Sequence, residues 1–414
     1  MVLLPPSFLL GVELILWLLT MLLLLPVGVL ALECWAALIQ PQPQGSCSSP
    51  LSLPRVALLV PAHNEAEVIE ATLDTLQPEL TASDRLVVIA DNCTDSTATL
   101  AQRTGVTVLE RHNSQLKGKG YALDFALQVV AADPPDVVIV VDADCVVRPG
   151  TIAQLAAQAH QCQRPVQACY LMHPPQNSGI NDRLSALALQ LKNYIRPLGL
   201  TQLGWPCLLT GSGMAFPWAA LSQVSLAGSK TVDDLQLTID LAISGPVPLF
   251  APQAEVTGRL MQQAAAQSQR SRWEHGHLEV IVTQVPRLLR SAWQQRRGDL
   301  LALALEISVP PLSLWLIIWG VVLILALAAA GMGGIWQPAT VLGGEGGLLA
   351  GAVISAWAKF GRDLLPARLW LAVPGYIVWK LPIYRKFWSQ PQTQWLHTER
   401  DVVPTKSGTS NSIT

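Results

Sequence analysis

No lysine or arginine occurs before Arg55. A cleaved secretory signal carries a basic leading region and a short apolar core, so this absence argues for an uncleaved membrane anchor instead. Basic residues that appear only after the first apolar stretch predict an outside amino terminus and a cytoplasmic domain behind it. Charge is scarce throughout: Asp, Glu, Lys and Arg make up 14% of the 414 residues and half the chain is apolar. The resulting mean hydropathy of +0.36 is too high for an ordinary soluble protein. A net charge of -2 and a pI near 6.4 exclude the basic domain that nucleic-acid binding needs. C-x-x-C spacing is also missing among the seven cysteines, so neither a zinc site nor a disulfide framework is indicated. Reduced thiols in a cytosol-facing domain are expected.

What the chain has in excess is apolar sequence at both ends. Residues 7–39 are apolar apart from Glu13, Pro26 and Glu33, more than the roughly 20 residues a spanning helix requires. Residues 1–50 form this anchor and a linker rich in Pro, Ser and Gln, and a less apolar domain follows over 51–258. Residues 259–300 hold seven arginines beside apolar residues spaced by three and four, which predicts an interfacial amphipathic helix that Pro286 breaks or kinks. Residues 301–388 are membrane again, with spanning candidates at 311–330 and 341–357 and an ambiguous stretch at 364–379. Lysine and arginine cluster after residue 358, so a cytoplasmic tail (389–414) requires two carboxyl-terminal spans and not three. Almost no paired charges fall within the spans, which argues against a channel or carrier.

Within 51–258, buried-type strands at 55–61, 86–90, 106–110 and 137–141 alternate with helices at 67–76, 121–131 and one ending at Arg103. This order predicts a mostly parallel α/β sheet. A helix is expected at 152–163, a strand at 166–171, and an amphipathic helix at 182–195 that stops before Pro197.

The strand at 137–141 ends abruptly in Asp142-Ala143-Asp144. Alternation along an extended chain points both carboxylates the same way, at the sheet edge where open α/β folds bind ligands. Two carboxylates completed by substrate phosphates suit a hard divalent cation. An aspartate-rich turn fits the same residues.

Five motifs in order now stand out: Val60-Pro61-Ala62-His63-Asn64-Glu65, Asp91 to Asp95, Asp142-Ala143-Asp144, Asp233-Asp234, and Gln269 to Trp273 in the form Q-x-x-R-W. Together, between membrane segments, they resemble the membrane-bound glycosyltransferase family 2 enzymes, the group of cellulose, chitin and hyaluronan synthases and related lipid glycosyltransferases. The resemblance implies a GT-A catalytic domain. It implies that Pro61, His63, Asn64 and Glu65 surround the nucleotide, that Asp91 receives the base, and that Asp142 and Asp144 hold Mg2+ or Mn2+ and through it the donor diphosphate. Asp234 is implied as the general base, with Asp233 standing where the family often has Glu. Gln269 and Arg272 contact the leaving diphosphate, Trp273 stacks on a sugar, and Gly211, Ser212 and Gly213 line the acceptor end. Lys119 is a phosphate or base contact.

Taken alone, Asn64-Glu65 and Asp233-Asp234 also read as helix starts, Asp95 as a turn residue, and Lys117 and Lys119 as a solvated loop. His275 and His277 form H-x-H without a further ligand nearby.

The expectation is thus an integral plasma- or inner-membrane enzyme with a cytoplasmic catalytic domain. It passes a sugar from a nucleoside diphosphate donor, UDP-linked, to a saccharide acceptor in exopolysaccharide or envelope glycan synthesis. A lipid acceptor is the first alternative, because processive synthases have more carboxyl-terminal spans. An inactive nucleotide-sugar-binding subunit is the second, though it should have lost some of these carboxylates. No polysaccharide-export partner can be read from the sequence.

Overall fold

The computed structural model describes residues 6–39, 53–174, 178–222, 224–227, 233–260 and 263–389, without the side chains of 6–9, 233, 263–268, 388 and 389. Most of the linker, Thr231-Val232, the Asp233 side chain and the tail beyond 389 lie outside this description.

A long helix, α1 (Pro6–Ala36), precedes the α/β domain. Then come β1 (Val56–Ala62), α2 (Ile69–Leu76), β2 (Arg85–Asp91), α3 (Thr97–Arg103), β3 (Thr107–Arg111), α4 (Lys119–Val130), β4 (Val137–Val140), β5 (Val146–Val147) and α5 (Thr151–Cys162). The second half contains β6 (Val166–His173), α6 (Ile180–Gln190), α7 (Arg196–Gln202), β7 (Met214–Pro217), α8 (Trp218–Leu221), α9 (Asp233–Ser244), β8 (Leu249–Arg259) and α10 (Gln263–Gln295). The chain ends in α11 (Gly298–Ser308), α12 (Leu312–Gly331), α13 (Gln337–Phe360) and α14 (Val373–Ser389).

One eight-stranded sheet runs β3-β2-β1-β4-β7-β6-β8-β5. β3, β2, β1 and β4 are mutually parallel, as expected, but β7 is antiparallel to both β4 and β6, and β5 to β8. The sheet is therefore mixed. Its two short antiparallel strands carry too few residues for periodicity to announce them.

Alternation along β1 explains the layering. Leu58 and Val60 pack with Val88 and Ile139 beneath Ile69, Leu73 and Leu155, while Ala57 and Leu59 pack with Val87, Val138 and Val140 beneath Leu123, Ala126 and Leu241. Helices thus cover both faces, and the carboxyl ends of β1, β2 and β4 meet at one edge.

α1, α12 and α13 are the described helices long and apolar enough to cross a membrane (Leu10–Ala36, Leu312–Gly331, Gln337–Phe360). Leu16, Val27 and Leu30 of α1 pack with Val322, Leu342 and Leu349, leaving Leu14, Leu18 and Ile324 exposed to the outside. The ambiguous third stretch becomes a 3-10 turn (Ala367–Ala372) followed by α14, which is not among the described helices long and apolar enough to cross a membrane.

Several expectations are corrected. The helix continues past Pro197, because a π-helical turn (Leu191–Ile195) restarts the ladder and leaves Pro197 in the first turn of α7, where no amide is required. α10 runs unbroken through Pro286; the carbonyl that loses its donor belongs to Val282, which is 71% exposed and open to water. A buried charge cluster stands beside the candidate spans, of which only Glu33 belongs to one: Arg196 Nε donates to Glu33 Oε2 (2.6 Å) and its Nη2 to Glu306, tying α7 to α1 and α11. Cys34, Cys93, Cys145, Cys169 and Cys207 are free thiols, whereas Cys162 is disulfide-bonded, which the expectation of reduced thiols did not include.

Candidate active site

A cavity of about 550 Å³ opens at the carboxyl edge of β1, β2 and β4. Its wall includes Pro61, His63 and Glu65 after β1, Asp91 at the end of β2, Asp142 and Asp144 after β4, and Lys119, Gly211 and Asp234. Gln269, Arg272 and Trp273, at the start of α10, complete it. Residues as far apart in sequence as Pro61 and Trp273 thus meet at one place.

The first loop is held by its own polar groups. His63 Nδ1 lies 2.6 Å from the Asp91 carbonyl, and the Glu65 amide donates to Thr97 Oγ1 (2.8 Å). Asn64, at φ 55°, is not part of the cavity wall; its Oδ1 accepts from the Thr94 amide (2.8 Å) and pins the β2–α3 turn. Asp95 behaves as a turn residue, accepting from the amides of Ala66 (3.1 Å) and Thr97 (3.0 Å). Asp91 is buried and ion-paired with Arg111, its register partner on β3.

Asp142 and Asp144 are half-buried, and their oxygens lie within 4.8 Å of each other and of Cys145 Sγ. Burial, reinforced by the two aspartates, pushes the Cys145 thiol well above its ordinary value. Lys119 Nζ is ion-paired with Asp142 Oδ1 and donates to the Gly211 carbonyl (2.7 Å). Burial disfavours this ammonium, but Asp142, helped by Asp234, outweighs it and holds the group above its ordinary value. The carboxylate pair fits a divalent cation, with the Lys119 ammonium its direct competitor at Asp142. Lys117 is exposed and outside the wall.

The segment before β7 supports this edge. Ser212 Oγ accepts from the Asp142 amide (3.0 Å), and the Gly213 amide donates to the Val140 carbonyl (2.9 Å). Gly211 faces Asp234: a Cβ placed there falls 3.6 Å from Asp234 Oδ2. Ser212 and Gly213 do not line the cavity. Gly213 has φ +70°, and a Cβ would meet Ala168 Cβ at 2.7 Å and Val256 Cγ2 at 2.8 Å, which assigns it to packing.

Asp234 sits in the first turn of α9, where the Leu235 amide donates to Oδ1 (2.9 Å). Burial raises its pKa above the ordinary carboxylate value, with Lys192 and Lys119 opposing. A carboxylate in this state is a stronger base than one in water.

Lys192, Asn193 and Tyr170 also line the cavity and were not anticipated. The π-turn presents Lys192 to the cavity, and Asn193 Nδ2 donates to the Tyr170 carbonyl (3.1 Å). The only signal was a lysine inside an otherwise apolar helical run. Arg111 was missed because its partner lies 20 residues upstream and only strand register joins them. His275 and His277 bond to the carbonyls of Ile383 (2.8 Å) and Ile307 (3.0 Å), on two different elements.

The mannosyltransferase PcManGT from Pyrobaculum calidifontis, solved with GDP-Man and Mn2+, superposes with a TM-score of 0.56 over 91% of this chain and 99% of its own, at 20% identity. Glucosyl-3-phosphoglycerate synthase from Mycobacterium tuberculosis, solved with Mn2+, UDP and phosphoglyceric acid, is 18% identical over 57% of this chain and 84% of its own, with a TM-score of 0.36. No curated protein matches the chain. The mixed sheet is a GT-A-like fold flanked by candidate membrane spans. The profile described as Glycosyltransferase like family 2 matches residues 54–276, more than half of the 414, so the chain belongs to that glycosyltransferase family.

Proposed function

We propose that this membrane protein transfers a sugar from a nucleoside diphosphate donor, UDP-linked, to an acceptor hydroxyl with inversion at the anomeric carbon. The observation that carries this reading is the convergence of Asp142, Asp144, Asp234 and Arg272 on one cavity. Asp142 and Asp144 hold Mg2+ or Mn2+, the ion that supplies charge neutralisation for the departing diphosphate. Arg272 and Gln269 hydrogen-bond that diphosphate. Asp234 takes the acceptor proton while the acceptor oxygen bonds to the anomeric carbon. The bond from that carbon to the diphosphate breaks, and its electron pair leaves on the nucleotide. Asp91, tied to Arg111, closes the nucleotide end beside Pro61, His63 and Glu65. Asp233 adds negative charge at the start of α9, where the helix dipole favours it.

Basic residues after α13 and α1 agree with a cytoplasmic catalytic domain and tail on the plasma or inner membrane. Asp144→Ala is expected to abolish donor turnover while the protein still inserts and folds, measured as hydrolysis or transfer across a panel of UDP- and GDP-sugars. Undiminished transfer in membranes stripped of metal overturns the reading.

A further inference from the structure

α14 grips the rest of the molecule by one face only. Its buried residues Tyr376, Lys380, Ile383 and Tyr384 reach three other helices. Lys380 is ion-paired with Glu274 of α10, the Ile383 carbonyl lies 2.8 Å from His275 Nε2, and the Arg270 guanidinium sits over the Trp379 ring at 5.3 Å. These contacts fall on both sides of Arg272 and Trp273, which line the catalytic cavity. Tyr376 bonds to Ser185 of α6 (2.9 Å), and Tyr384 to Ser313 in the first turn of α12 (2.5 Å). α14 is thus the strut behind the cavity-lining turns of α10.

The opposite face has no partner among the described residues. Leu371 is 89% exposed, Val378 63% and Leu381 44%, with Pro374 exposed between them. Spacings of three, four and three residues align these four in one apolar stripe along the 3-10 turn and α14. Their depth follows from what stands behind them. Trp370, Val373 and Tyr376 share a cavity of about 500 Å³ with Leu316 and Trp319 of α12 and with Leu349 and Val353 of α13. From Ser313 to Trp319 is about 9 Å of helix, so α14 lies level with the first turns of one candidate span and the last turns of the next. An in-plane amphipathic helix sits at about this depth, with its apolar face at the boundary between headgroups and acyl chains.

Exposed charge around the stripe has one sign. Between residues 359 and 387, Lys359, Arg362, Arg368, Arg385 and Lys386 are exposed, against Asp363 alone. A second copy of the chain on this face would bring like charges together. A layer of anionic headgroups complements them, and long basic side chains can reach it from a helix whose apolar side lies deeper.

We infer that α14 is seated in an anionic bilayer surface on the side where α12 begins and α13 ends, and that this seat holds Gln269, Arg272 and Trp273 in place for the donor diphosphate. The first half stands on the helix alone; the second rests on the transferase reading above. Lipid and α10 are held by opposite faces of one helix, so a loss of grip on the lipid is felt at the cavity.

The test uses the full chain in lipid nanodiscs of phosphatidylcholine with and without phosphatidylglycerol. A nitroxide on Val378→Cys, and separately on Leu381→Cys, is expected to be relaxed by oxygen and shielded from a water-soluble nickel chelate, with the unsubstituted protein as background. Ready access of the nickel chelate overturns the seat, and dipolar broadening between labels overturns it in favour of a second copy. UDP binding in the presence of Mn2+ is measured in the same discs. A basic residue near an anionic surface contributes about fivefold to attraction, so phosphatidylglycerol should tighten UDP binding by about that factor. The gain should disappear in Arg368→Gln/Lys386→Gln, which leaves the stripe and the contacts to α10 in place. No gain, or a gain of equal size in that variant, overturns the link from lipid to cavity. Failure of the wild-type protein to bind UDP or GDP in either disc removes the transferase reading, while a shielded nitroxide still establishes the seat.

Discussion

Gly213→Ala separates a packing role from an acceptor contact. At φ +70° an alanine costs about 1–2 kcal/mol in backbone energy alone. The added methyl meets Ala168 Cβ at 2.7 Å and Val256 Cγ2 at 2.8 Å; both neighbours are fully buried strand residues with no free volume to move into. Overpacking of this kind adds about 1–3 kcal/mol, so the total is roughly 2–5 kcal/mol. For a domain of this size each kcal/mol lowers the midpoint by about 2–4 °C, giving a drop of roughly 4–20 °C. The strain propagates directly to the site, because the Gly213 amide is bonded to Val140 and its carbonyl to the Ala168 amide (2.8 Å), next to the Ser212 hydroxyl that holds the Asp142 amide. Thermal unfolding in detergent should show the drop, and metal-dependent nucleotide binding should weaken with it. An alanine variant of wild-type stability with a raised acceptor KM would refute this reasoning and return Gly213 to the acceptor site.

If Asp234 is the base, as proposed, it acts deprotonated, and burial holds its pKa up, so transfer should fall as pH drops through a value above the ordinary carboxylate range. Lys192→Met removes a cation that opposes this rise and should move the acidic limb of the kcat profile to higher pH; an unmoved or lowered limb contradicts the assignment. Arg196→Ala leaves Glu33 and Glu306 buried without their partner and should cost about 3–5 kcal/mol, read as a lowered unfolding midpoint in detergent; an unchanged midpoint shows that the cluster does not hold α1 to α7.

Much of the catalytic half was legible because its determinants are local. Unbroken apolar runs predict β1, β2 and β4 within about a residue, and each ends in the polar residues that later line the cavity. What was not legible depends on contacts between distant segments. Arg111 reaches Asp91 only through strand register, and Lys192 enters the cavity only because a π-turn rotates it there. Gly199 shows the same dependence in the membrane region. A Cβ on it would fall 1.9 Å from the Glu33 carbonyl, so α7 crosses α1 at a point that neither helix marks in its own sequence.

The sequence alone determined the two long apolar ends and the order of the motifs between them. Composition and short-range periodicity carry that information along the chain. Tertiary structure decided which motif residues face the cavity and which only support it: Asp142 lines the wall, while Ser212 and Gly213 stand behind it. It also decided what lies beyond the Trp273 ring. Packing α6, α10, α12, α13 and α14 around one space forms a second cavity that shares Leu189, Lys192 and Trp273 with the first, a property that belongs to no single segment.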